Sequence, residues 1–191
     1  MAARIPVQRL VIGIGNEFRQ DDGAGIAAAR RLRHQAPAGV TVLERSGEGT
    51  GLMAAWQGAG FAIVVDAVSS GADPGTIHRF EVTGPLAADT GSRPRQPPRI
   101  FRGTSHQIGL GEAIDLAAAI GALPERLVIY GVEGRAFGEG IVLSPEVARA
   151  VEDVVARMAE DIGRECEGRL ARGQRVHRTR RSTASARPAS S

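Results

Sequence analysis

Four side chains of this 191-residue chain combine chemistry-bearing types with suggestive placement: Asp21, Asp22, Asp66 and His106. Asp21 and Asp22 adjoin in a glycine-rich stretch, Gly13-Ile-Gly-Asn-Glu-Phe-Arg-Gln-Asp-Asp-Gly-Ala-Gly25. Asp66 closes the apolar run Phe61-Ala-Ile-Val-Val-Asp66, and His106 stands between Ser105 and Gln107 where a helix should open. Two carboxylates and an imidazole make a donor set for a borderline divalent metal that keeps open positions. A metal so held polarises a carbonyl and acidifies bound water.

Bland alternatives stand beside that one. An aspartate just before a helix commonly caps it, so one of Asp21 and Asp22 would cap and the other be solvated. Asp66 can end its strand by accepting backbone N–H bonds, and His106 can be an ordinary polar residue at a helix start. A dinucleotide fingerprint fails: the third glycine is missing at its spacing, and two carboxylates would face a pyrophosphate. The stretch alone leaves capping and metal or acid–base chemistry both open. Other nucleophiles have less support. Neither a Gly-x-Ser-x-Gly elbow nor a His-Glu-x-x-His pair occurs, and Cys166 has no base nearby in sequence. His34, His78 and His177 read as solvated.

The elements that must position these groups follow from hydropathic period. Residues 9–15 form a first strand, and about 23–35 a helix. Val40–Arg45 is a second strand, followed by a glycine-rich loop over Ser46–Gly51 and a short helix over 52–57. Phe61–Asp66 and Arg126–Val132 are continuous apolar runs, the signature of buried parallel strands. Ile77–Val82 is a further strand. A helix from Ser105 to about Ala122 has Ile108, Ala113, Leu116 and Ala119 on its apolar side. Ser144-Pro-Glu opens the last helix, whose apolar face is Val147, Val151, Val154, Val155, Met158 and Ile162, ending near Glu167. The alternation predicts a three-layer α/β/α sandwich with a twisted, mostly parallel sheet of about five strands. In such sheets, loops at the carboxyl ends of strands meet in a crevice, and Asp22 and Asp66 both fall there.

Composition bounds the rest. The 42% hydrophobic fraction suffices for one core. No run approaches the roughly 18 apolar residues of a membrane span, and the N-terminus has no long apolar region, so cytoplasm is the expectation. One cysteine precludes an internal disulfide. Every basic residue is arginine; residues 168–191 hold seven and no acid, so residues 1–167, with 17 arginines against 21 acids, carry a net −4. The expected organisation is a domain over 1–167 and a disordered Arg-rich tail over 168–191. An acidic body without stacking aromatics argues against a nucleic-acid partner. Gly84–Gly103, with four prolines and four arginines, reads as a long surface loop.

Five motifs in order then carry a resemblance: the Gly13–Gly25 stretch, Val64-Val-Asp-Ala67, Ser105-His-Gln-Ile-Gly-Leu110, Leu123-Pro-Glu-Arg-Leu-Val-Ile-Tyr-Gly-Val-Glu133 and Leu143-Ser-Pro-Glu-Val147. Together they resemble the hydrogenase maturation protease family, from about residue 9 to 163. The resemblance implies an aspartic-type endopeptidase that clips a C-terminal extension from the large-subunit precursor of a nickel–iron hydrogenase after nickel insertion. It implies no organic cofactor; the nickel is expected to arrive with the substrate. The family's metal-contact residues fall by motif on Asp22, Asp66 and His106, which are also the expected catalytic set. A monomer is expected. Many relatives carry Glu where this chain has Asp22, and an acid after strand two leaves Glu44 and Glu48 both open. The alternative is a metal-assisted amidohydrolase, or a peptidase for an unrelated precursor, on a related sandwich.

Overall fold

The computed structural model describes residues 8–46, 49–83 and 109–183, with the backbone alone for residues 49–50 and 169–183. Five strands, β1 (Arg9–Ile14), β2 (Val40–Arg45), β3 (Phe61–Val68), β4 (Ile77–Thr83) and β5 (Arg126–Glu133), form one sheet in the order β2-β1-β3-β5-β4. β2, β1, β3 and β5 run parallel, and β4 is antiparallel at the edge. The mostly parallel α/β architecture is therefore as the apolar runs implied: β1, β3 and β5 are buried almost throughout. Strands covered on both faces read as continuous hydrophobic stretches.

Helices α1 (Ala24–Arg33), α2 (Gly49–Trp56), α3 (Leu110–Ala119) and α4 (Pro145–Thr183) complete the elements. Pleat alternation assigns the layers. Leu10, Ile12 and Ile14 of β1, with Ala62 and Val64 of β3, share one apolar cluster with Leu52 and Trp56 of α2 and Ala113, Ile114 and Ala117 of α3. The opposite face receives α1, whose Ala29 lies over Gly13. The start of α4 is tied to α1 by the Arg31–Glu152 ion pair at 2.6 Å.

The chain divides into two compact units, Met1–Ala156 and Arg157–Ser191. The second contains the continuation of α4, where Met158 and Ile162 are buried and Arg164 pairs with the buried Asp161 at 2.8 Å. The helix expected to stop near Glu167 continues to Thr183. No proline interrupts it before Pro188, and arginine, alanine, leucine and glutamine all favour helix.

Smaller differences follow from local causes. α2 takes in Gly49–Gly51, so the glycine-rich loop after β2 is shorter than expected. α3 buries Leu110, Ala113, Ile114 and Ala117, while Leu116 is 43% exposed. The buried positions have i, i+3, i+4, i+7 spacing, one residue out of phase with a face running through Leu116. The Gly84–Gly103 loop, Glu48 and His106 lie outside the described residues. Among those described, no helix is long and apolar enough to cross a membrane.

Candidate functional site

The carboxyl ends of β1 and β3 deliver the two acids. After Ile14 the chain turns at Gly15, whose φ is +139° and where a Cβ would strike the Asp22 carbonyl. Only glycine fits such a turn without strain. The loop then closes on itself, with Asn16 N–H donating to Asp22 O at 3.3 Å and Asp22 N–H to Arg19 O at 3.1 Å. It ends in a 3-10 turn over Gln20–Gly23 that leads into α1. Gly25, in the first turn of α1, lies against the carbonyl oxygens of Ile14 and Val65. That close approach brings the 3-10 turn toward the carboxyl end of β3, where Asp66 lies; the strand does not stop at Asp66 as the apolar run suggested but pairs with β5 for two residues more, to Val68.

Asp22 and Asp66 are both partly buried, and Asp66 feels the charge of Asp22. Burial, and after it the charge of Asp22, pushes the Asp66 carboxyl up to about 7, against a single backbone bond from Ala67. Burial also raises Asp22, opposed by the Arg19 charge and the Asn16 N–H. Two half-buried carboxylates, one of them raised further by the charge of the other, form a site that a cation or a proton would relieve. The oxygen donor set suits a hard or borderline divalent ion. The third expected ligand, His106, lies outside the described residues; among those described, no group of three His, Cys, Asp or Glu side chains gathers as a metal-ligand set.

Asp21 does neither job expected of this pair. It is fully buried and caps nothing: the N-cap of α1 is Gly23, with no side-chain bond. Its Oδ2 accepts from Arg135 N–H at 2.8 Å, Ala136 N–H at 2.9 Å and Ser144 Oγ at 2.7 Å, and its Oδ1 from Ser144 N–H at 2.7 Å. Burial alone would raise its carboxyl, yet these bonds outweigh burial and hold it below the usual range. Ser144 does precede α4, as its sequence suggested, but its hydroxyl donates to Asp21.

Glu133, the last residue of β5, is a further buried acid that the sequence does not set apart. It is 1% exposed and accepts from Ser70 N–H and Ser70 Oγ, each at 2.7 Å, and Gly71 N–H at 2.9 Å. Burial raises its carboxyl, and those bonds together with His78 overcome that and leave it lowered. His78 is therefore not the solvated residue expected: its Nε2 lies 3.4 Å from Glu133 Oε2. β4 runs antiparallel beside β5 and sets His78 opposite Gly131, two residues from Glu133. Glu44 is engaged by Arg30 at 3.0 Å and Arg33 at 2.7 Å, and Arg30 also grips Glu17 at 2.6 Å. His34 is exposed at the end of α1.

Beside the 3-10 turn, residues 18–20 and 140 form a small ladder: Gln20 N–H donates to Gly140 O at 2.8 Å and Gly140 N–H to Phe18 O at 2.9 Å. The two stretches present Phe18, Ile141 and Val142, 67–74% exposed. A cleft of about 420 Å³ lies alongside, lined by Gln20, Ile26, Arg30, Ile141 and Val142 among others, though neither Asp22 nor Asp66 lines it.

An α/β/α layered domain with paired carboxylates at the strand ends is thus the class that fold and site define. The family model for hydrogenase maturation protease (HycI) matches residues 26–161, beginning just after Asp22 and including Asp66 and His106. The chain belongs to the hydrogenase maturation protease family. It is 33% identical over 129 residues to the hydrogenase expression/formation protein HupM of Azotobacter chroococcum, a match covering 65% of this chain and 56% of that protein. The chain therefore spans little more than half the length of that relative. It is 32% identical over 171 residues to HupD of Thiocapsa roseopersicina, covering 80% of this chain and 72% of HupD. Among solved structures, the hydrogenase maturating endopeptidase HybD from Escherichia coli superposes with a TM-score of 0.69 at 22% identity, over 83% of this chain and 94% of HybD. That likeness carries the fold.

Proposed function

We propose that this protein is an endopeptidase that removes the C-terminal extension of a nickel–iron hydrogenase large-subunit precursor once nickel has been inserted, with the substrate's nickel as its recognition contact. The observation that carries this reading is the pairing of Asp22 with Asp66, in which burial makes both carboxylates costly to ionise and the charge of Asp22 adds to the cost at Asp66. A nickel ion held by the precursor removes that cost when it docks, so binding free energy depends on the metal. His106 is the third donor in this reading. The contact then holds the scissile peptide beside the site for attack by a carboxylate or by an activated water. Phe18, Ile141 and Val142, exposed beside the 3-10 turn that carries Asp22, suit a polypeptide substrate better than a small polar one. Incubation of nickel-loaded and nickel-free precursor with the protein tests the reading. Cleavage of the loaded form alone is expected, with loss of cleavage in Asp66→Asn and His106→Ala. Equal cleavage of both precursors, or full activity in either variant, would overturn it.

A further inference from the structure

Asp22 has few tethers of its own. Its carboxylate meets one backbone N–H and the charge of an exposed arginine, so its direction is set by the turn that carries it. That turn is fastened to residues 135–144 mainly through Asp21. Four donors converge on the Asp21 carboxylate, all more than 110 residues away in sequence. Backbone bonds from Asp21 N–H to Ala136 O at 3.0 Å and from Gln20 N–H to Gly140 O at 2.8 Å complete the fastening. Only an ionised carboxylate offers acceptors enough for such a set; an amide would turn an NH2 group toward N–H donors. No donor in the set belongs to the proposed site, and none of the Asp21 oxygens is open to solvent.

We infer that Asp21 is the positioning residue of the reaction: by pinning the 3-10 turn to the 135–144 segment, it holds the neighbouring Asp22 carboxylate beside Asp66. The inference rests on the proposed role of Asp22. Asp21 itself touches no substrate and acts through its neighbour.

The test compares Asp21→Asn with Leu127→Ala in the full chain. Leu127 is fully buried near the start of β5, at the end of the sheet away from the acids, so its truncation destabilises without touching the turn. Both variants are assayed on nickel-loaded precursor at a temperature where circular dichroism shows them folded. Asp21→Asn should lose kcat by about tenfold or more with KM nearly unchanged, since small misplacements of a reacting group are costly. Leu127→Ala should keep kcat despite its lower melting temperature. Equal loss in both variants, or retained kcat in Asp21→Asn, overturns the inference. Should Asp21→Asn not fold, Ser144→Ala removes one of the four donors, and a smaller fall in kcat is expected; no fall overturns it. A crystal structure of the Asp21 variant, or of Ser144→Ala in its place, separates the two ideas. If the parent protein cleaves no precursor, the functional reading fails, and the position of Asp22 still decides the role of Asp21: displaced from Asp66 supports it, unmoved overturns it.

Discussion

The charge of Asp22 acts on Asp66 although 44 positions separate them in the chain, and it helps burial push the Asp66 carboxyl to about 7. The proximity is built from small residues. Gly13, Gly15 and Gly25 remove every side chain that would separate the first loop and α1 from the ends of β1 and β3. The site is thus a backbone arrangement first and a pair of acids second.

If the coupling is as described, Asp22→Asn lowers the Asp66 titration midpoint without restoring it to the ordinary carboxylate value of 3.8. Burial is the larger cause and survives the substitution. The carbon-13 shift of the Asp66 carboxyl followed against pH measures it. A midpoint that stays at about 7 would show the two acids to be independent.

Asp66→Asn should raise stability while it removes processing. The folded protein keeps the Asp66 proton to about pH 7, whereas the unfolded chain releases it near 3.8. Stability contributed by the protonated form is therefore lost as pH rises between these values. An uncharged amide escapes that loss, so the variant should gain roughly 1–3 kcal/mol at pH 8 and little at pH 4. Thermal melts of both proteins across this range check it; a variant no more stable than its parent at pH 8 would mean the site carries no such strain.

Gly25→Ala should destabilise and also disarm. Its Cβ would strike the carbonyl oxygens of Ile14 and Val65, which belong to two central strands and cannot yield cheaply. A cost of about 2 kcal/mol or more is expected, at the upper side of overpacking, along with displacement of Asp22. Gly163→Ala is the contrast: in α4, with nothing within 4 Å of the added methyl, it should gain about 0.5–1 kcal/mol. Urea unfolding of the two variants distinguishes them, and equal effects would contradict the close approach at Gly25.

The order of strands and helices, and the position of Asp22 and Asp66 near the carboxyl ends of β1 and β3, were legible because buried parallel strands are unbroken apolar runs whose carboxyl ends face a crevice. The same signal marks Glu133, an acid closing an apolar run just as Asp66 does, and sequence cannot separate them. The structure does: Ser70 and Gly71 satisfy Glu133, while Asp66 has one backbone bond. Asp21 was illegible for another reason. Its partners lie 114–123 residues downstream, and three of its four donors are backbone N–H groups, which leave no trace in residue type. The buried face of α3 keeps Ala113 but runs through Ala117 and not Leu116, which is core by residue type and yet 43% exposed.

Glu133→Gln gives the opposite pH signature from Asp66→Asn. Its carboxyl is held below the ordinary value of 4.5, so the stability it contributes is fully present above that value and lost as pH falls through the lowered one. The amide has one acceptor oxygen for three donors and turns its NH2 group toward the others. At pH 7 the variant should lose about 2–4 kcal/mol, since hydrogen bonds to a buried charge are worth roughly 1.5–3 kcal/mol each and not all are lost. The gap between variant and parent should stay constant from pH 8 to 6 and narrow below about 4.5 as the parent's carboxylate is protonated. Melting curves at each pH measure the gap. A gap that does not narrow in acid would mean that Glu133 braces the β3 exit loop by shape alone and not by its charge.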